Sequence, residues 1–170
     1  SMHMSMFREY KDLLLLHTPN ETQFRHLFDM GACGFIFEGT EAGGHIGELS
    51  LMCLIELLYS ELEHINIHTP KSYTFIFAGG LNDTLSMTML NAALIGLDEK
   101  DFVLGAQIGS AYLATKEALS MKIIDESYQT SILKHNETVT IGNAVNQPIR
   151  LIKNNISTQI KKKEYNIAFS

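Results

Sequence analysis

Ten consecutive positions, Glu38-Gly39-Thr40-Glu41-Ala42-Gly43-Gly44-His45-Ile46-Gly47, hold four glycines, two carboxylates and one histidine. Glycine lets the backbone approach a ligand closely, because it has no Cβ and accepts positive φ. Histidine is the side chain best suited to moving a proton near neutral pH. The segment follows an apolar run over 32–37. A strand, a glycine-rich turn and then a helix is where an α/β protein usually holds a cofactor. A lone loop histidine is more often satisfied by backbone than catalytic, so His45 needs the surrounding pattern to carry weight. Glu41 can either orient His45 or cap the helix that follows, and the capping role is the simpler one.

Two further turns have the same character. Ala78-Gly79-Gly80 ends one apolar run, and Gln107-Ile108-Gly109-Ser110 ends another. The backbone N–H groups of Gly79, Gly80, Gly109 and Ser110, with the Ser110 hydroxyl, can hold a phosphate where a helix begins. Such glycines can equally serve only to let a strand turn into a helix. His64 and His68 lie four apart, but Pro70 follows closely and the helix is ending there, so no metal site is expected. His17 and His26 read as surface or helix-face residues. Met87 and Met89 read as core filler.

The elements that position these turns repeat one grammar. Apolar runs over 13–16, 32–37, 73–78 and 102–108 read as buried strands. After the first, Thr18 is the expected N-cap, with Pro19 in the first turn and Glu21 completing a capping box. Phe24, Leu27 and Phe28 give that helix its stripe, and Gly31 ends it. The second helix is expected over 49–63, with Leu51, Leu54, Ile55, Leu58 and Leu62 inward and Glu56, Glu61 and Glu63 outward. Asp83 caps the third, whose apolar residues are Leu85, Met89, Leu90, Ala93 and Leu97. Residues 112–119 read as helical. From Ser120 onward the chain is more polar, and irregular structure with a terminal helix over 149–163 is expected. Alternating strand and helix means a parallel sheet with helices on its faces, an α/β fold in one domain over 6–170. Residues 1–5 read as cloning residue with alternative starts.

Composition narrows the function classes. The chain has 170 residues, 45% of them hydrophobic, enough for a substantial core. A net charge of −6 argues against nucleic acid, and Lys161-Lys162-Lys163 is a short basic run typical of a solvated helix face. No apolar run is long enough to span a bilayer, so no membrane role is expected and the cytoplasm is the expected compartment. Cys33 and Cys53 lie in apolar segments and read as buried free thiols.

Three motifs occur in a telling order: Glu41-Ala42-Gly43-Gly44-His45-Ile46-Gly47, Ala78-Gly79-Gly80-Leu81, and the stretch from Gln107-Ile108-Gly109-Ser110-Ala111-Tyr112 to Glu117. With them the chain resembles the nitronate monooxygenase family, formerly 2-nitropropane dioxygenases, which includes FMN-dependent enoyl-acyl-carrier-protein reductases. Thr138-Val139-Thr140 and Pro148-Ile149-Arg150 fit the family's C-terminal region, and the likeness spans about 13–154. The resemblance implies a (β/α)8 barrel of roughly twice this length, of which this chain is strands 5–8, a half barrel. It implies FMN, with Gly79, Gly80, Gly109 and Ser110 at its phosphate and Glu38, Gly43, Gly44, Gln107 and Ile108 around the flavin. The family often has Gln where this chain has Glu38. It implies His45 as the catalytic residue. The implied activity is enoyl-thioester reduction with NAD(P)H as reductant, most like the reductase domains of polyketide and polyunsaturated fatty acid synthases. The substrate is then a small molecule or an acyl-carrier-protein thioester. Oxidation of nitronates is the alternative activity, and a non-catalytic half barrel a further one. A half barrel leaves two sheet edges and one face uncovered, so self-association or a missing N-terminal half is expected.

Overall fold

A computed structural model of the chain describes residues 9–65, 67 and 73–168. The strands begin with β1 (Leu16–His17), and helix α1 (Glu21–Asp29) follows. Next come β2 (Gly34–Glu38), β3 (Gly44–His45) and α2 (Leu51–His64). After these stand β4 (Thr74–Ala78), α3 (Thr84–Asp98) and β5 (Val103–Gln107). The remainder is α4 (Ser110–Leu113), α5 (Lys116–Ser120), α6 (Glu126–Lys134), β6 (Thr138–Ile141), β7 (Ile149–Ile152) and α7 (Asn155–Ala168).

The sheet β1-β2-β4-β5 is parallel throughout, as the βα grammar requires. Its register sorts the side chains into rows, because successive residues of a strand point to opposite faces. Phe35 and Phe75 pair with Leu16 and Leu104 on one face, and Phe37 lies beside Phe77. This face packs against the helices. Phe24 of α1, Phe35, Phe37, Phe75 and Phe77 are all fully buried, and Phe102 extends the cluster. Phe24–Phe35 are tilted and Phe37–Phe75 edge-on, with centroids 5.0 and 6.1 Å apart, and Phe37–Phe77 stack at 5.7 Å. The opposite face carries the rows His17–Ile36–Ile76–Gly105 and Glu38–Ala78–Gln107.

Local signals set the helix ends, at Asp83 as expected and at two caps the sequence reading does not name. Asn20, Ser50 and Asp83 cap α1, α2 and α3, and Asp83 forms a full capping box with Ser86. The donors from Ser86 hold the Asp83 carboxyl below the usual carboxylate range. Gly31 ends α1 with φ of 85°.

Several expectations are corrected. Thr18 is not the cap: it is fully buried, its N–H donates to Ile36 O and its hydroxyl to Leu16 O. The chain is still joining the sheet there, so the helix starts three residues later. Glu61 does not face outward; it is buried and accepts two bonds from Arg25, at 2.7 and 2.8 Å, a bidentate pair. Leu85 and Met89 are exposed, at 67% and 62%, because α3 presents Leu90, Leu94 and Leu97 to the core instead. Cys53 is exposed on α2, and Cys33 is only partly covered, though burial and then Asp12 push its thiol upward. Residues 149–152 are strand rather than helix, pairing with β6 in a second, antiparallel sheet of order β3-β7-β6. Residues 112–119 divide between α4 and α5, with Thr115 capping the second. His68 and Pro70 lie outside the described residues.

Candidate active site

The three glycine-rich turns meet at one end of the parallel sheet, beyond the C-terminal ends of its strands. Gly39 N donates to Ala78 O at 2.9 Å, tying the first turn to the end of β4. Gly79 and Gly80 adopt φ of 112° and 70°, a region open to glycine and costly for other residues. The backbone of the first turn lies against them: a Cβ on Gly79 would stand 3.1 Å from Ala42 N, and one on Gly80 would stand 3.3 Å from Glu41 Cβ. Gln107 pairs with Ala78 across β4 and β5, and Gly109-Ser110 continue directly from it.

Glu41 is the staple of this arrangement. Its carboxylate accepts from Leu51 N at 3.0 Å, at the start of α2. A carboxylate is favoured there by the unsatisfied N–H groups of the helix. The capping role foreseen for Glu41 is the one observed, and the carboxylate also fills the space a Cβ on Gly39 would need.

Other glycines have nothing against them. A Cβ on Gly43, Gly44 or Gly109 would meet no atom within 4 Å. These three positions therefore border open space rather than protein, whereas Gly79 is hemmed in. Gly109 precedes α4 and makes no side-chain capping bond. The open space at Gly109 leaves room for a group the size of an FMN phosphate beside the backbone there, so the residues present fit that group on steric grounds.

Glu38 and Gln107 flank the small, buried Ala78 in one row, so the sheet end offers a flat floor with a polar wall on each side. Glu38 is not alone: its Oε2 lies 2.9 Å from His17 Nδ1. His17 is exposed, as expected of a surface residue, but it stands on a strand rather than on a helix face. It belongs to the strand row facing away from the helices, and its place is invisible until the parallel register is known.

His45 is exposed and lies on β3, outside the parallel sheet. It pairs with Ile149 of β7, and Ile46 N donates to Pro148 O at 3.0 Å. Arg150 adds a bond from Nε to Thr40 O at 2.5 Å. Arg150 was legible in sequence only as part of a C-terminal likeness; its link to the histidine loop spans 110 residues. A cleft lined by Lys134, His135, Glu137, Lys153 and Asn154 lies at the α6–β6 junction and is separate from these turns. Among the described residues no group of three or more His, Cys, Asp or Glu could hold a metal, and no helix is long and apolar enough to cross a membrane.

A family model for nitronate monooxygenase matches residues 9–169. The chain belongs to the nitronate monooxygenase family. Its fold is similar to the solved structure of FabK from Thermotoga maritima, with a TM-score of 0.70 and 24% identity over 96% of this chain and 47% of that one. The M276A mutant of the same protein gives a TM-score of 0.67 and 24% identity over 94% and 48%. The chain therefore spans about half the length of the solved structures it matches. No curated protein matches it. The fold is that of part of a TIM barrel, with the candidate site at the sheet end where such barrels carry their active sites.

Proposed function

We propose that this chain is the flavin-binding half of an FMN-dependent oxidoreductase that reduces enoyl thioesters. The observation that carries the proposal is the meeting of three turns at one sheet end, with Gly43, Gly44 and Gly109 bordering open space. Gly79, Gly80, Gly109 and Ser110 would hold the phosphate through backbone N–H groups and the Ser110 hydroxyl. Glu38, Gln107 and Ile108 would border the ring, over the floor made by Ala78. Bound FMN would supply the hydride chemistry, which no side chain of the chain can provide. NAD(P)H is the reductant under this reading, and the substrate a small or carrier-bound thioester. Free thiols, one of them exposed, fit a reducing compartment such as the cytoplasm.

His45 is the proton-transfer group. Its imidazole is exposed beside two open glycines, where a substrate carbon can come within reach. In the reduction it gives a proton at the α-carbon. Nitronate oxidation is a second reading, favoured by the matching family model; there the same imidazole would take a proton from the carbon beside the nitro group. The two readings separate on the reductant. With FMN bound, NAD(P)H consumption is expected to depend on an enoyl thioester, and His45→Ala to lower that rate by roughly 10²–10⁴-fold while retaining flavin. Turnover of a nitronate with oxygen and no NAD(P)H would favour the second reading, and unchanged turnover in His45→Ala would remove His45 from both.

Among the described residues, the face bearing His17, Glu38 and Gln107 leaves His17 and Gln107 exposed at its two sides. Val103 of the edge strand β5 is 46% exposed, and β1 forms the other edge. We infer that a second half of like architecture closes it, a second copy of this chain when none other is present. A monomeric mass at micromolar concentration would refute that closure.

A further inference from the structure

We propose that Arg150 is a positioning residue for His45. The inference rests on His45 being the proton-transfer group. The problem it addresses is how an exposed histidine between open glycines is held still. Among the described residues, no hydrogen bond or ion pair fixes the His45 imidazole, so its position must come from the backbone of the arm that carries it. One end of that arm is tied to the parallel sheet by Gly39 N–Ala78 O and by Glu41–Leu51. Among the described residues, the far end, where His45 lies, is held by its pairing with β7 and by Ile46 N–Pro148 O, while Thr40 N–Leu49 O joins the two stems of the loop.

Arg150 contributes to that attachment through its backbone and adds a side-chain bond at the near end of the loop. Its backbone stands opposite Gly44 in the β3–β7 pairing, with Ile149 opposite His45. Its side chain then reaches to the near end of the same loop, where Nε donates to Thr40 O at 2.5 Å. The same guanidinium donates from Nη1 to Thr138 Oγ1 at 2.8 Å, on β6. One planar group thus joins the loop before the glycines to the hairpin after them. The loop is closed on itself across Gly43-Gly44, and His45 sits on the closed side. Guanidinium has the fixed fork needed to donate in two directions at once, which an ammonium on a flexible stem does not. Arg150 pairs with no carboxylate among the described residues, so its donors serve the loop and the hairpin.

The test is amide hydrogen exchange on the full 170-residue chain, comparing Arg150→Met, Arg150→Lys and the parent. Loss of a charge-assisted bond should raise exchange at His45 and Ile46 by roughly tenfold or more. Exchange at Phe35, Phe37, Phe75 and Phe77 should stay unchanged, and the His45 ring resonances should move toward those of a free histidine. Arg150→Lys should fall between. Thr138→Val removes one of the two anchors and should give a smaller rise confined to the same residues; it also serves if Arg150→Met does not fold. Equal exchange at His45 and Ile46 in every variant would overturn the proposal, as would a rise spread evenly over the barrel strands. An FMN titration of the parent runs alongside. Failure of the flavin reading appears there, as absent binding, and is distinct from failure of the positioning role.

Discussion

The two faces of the parallel sheet divide the work of the molecule. The face toward the helices is built from phenylalanine, fully buried and close-packed ring to ring. The opposite face carries His17, Glu38, Ala78 and Gln107, polar groups around a small floor, with an exposed edge at Val103. The same five-residue strands serve both, because alternate residues face opposite ways. Stability is invested on one side so that the other can stay open for a ligand. Each Phe can change without touching the site, and each site residue can change without emptying the core.

That division can be broken from either side. The largest effect is expected on the packed face: Phe75→Ala should lower unfolding free energy by about 3–5 kcal/mol, read as a fall in the denaturant midpoint. Phe75 contacts the rings of Phe35, Phe37 and Phe102, so no neighbour can fill the gap. Gly109→Val should do the reverse. A Cβ there meets no protein atom, so the midpoint should hold while FMN affinity falls roughly tenfold or more, since hydrogen bonds to a charged group are worth about 1.5–3 kcal/mol. Smaller still is Glu38→Gln. The His17–Glu38 pair is partly exposed, so the stability change should stay within about 1 kcal/mol, and flavin binding should persist. A large loss of affinity would show that the carboxylate makes a specific contact with the flavin.

The smallest effect concerns acid. Asp83 has its carboxyl held below the usual range by the donors of Ser86. A depressed folded-state value means the cap contributes fully above the unfolded carboxylate value, about 3.9, and is lost as pH falls through the lower folded value. The difference in thermal midpoint between the parent and Asp83→Ala should therefore be constant near neutrality and shrink below about pH 4. A difference that grows on acidification would contradict this.

How far the sequence discloses the molecule follows from the range of each interaction. The βα order, the cap at Asp83, the stop at Gly31 and the capping role of Glu41 rest on residues near one another in the chain. Periodicity and local spacing display them. Thr18 misleads because a strand and a cap prefer the same residue, and only the parallel pairing with Ile36 decides between them. Glu61 reads as solvent-facing until Arg25, 36 positions away, supplies the partner that makes burial tolerable. The β3–β7 pairing that holds His45 joins segments about a hundred residues apart, and a two-residue strand has no periodicity to detect. The glycines of the site were visible as a motif; which of them face open space and which face protein was not, since that depends on what packs beside them.

The central claim is that the turns after β2, β4 and β5 form a flavin site within this half of the barrel. The most direct test is a titration of the purified 170-residue chain with FMN, followed by flavin fluorescence, with Gly109→Val measured beside it. Saturable binding by the parent and weakened binding by the variant is the predicted result. Absent binding by the parent, or equal binding by both, would contradict the claim.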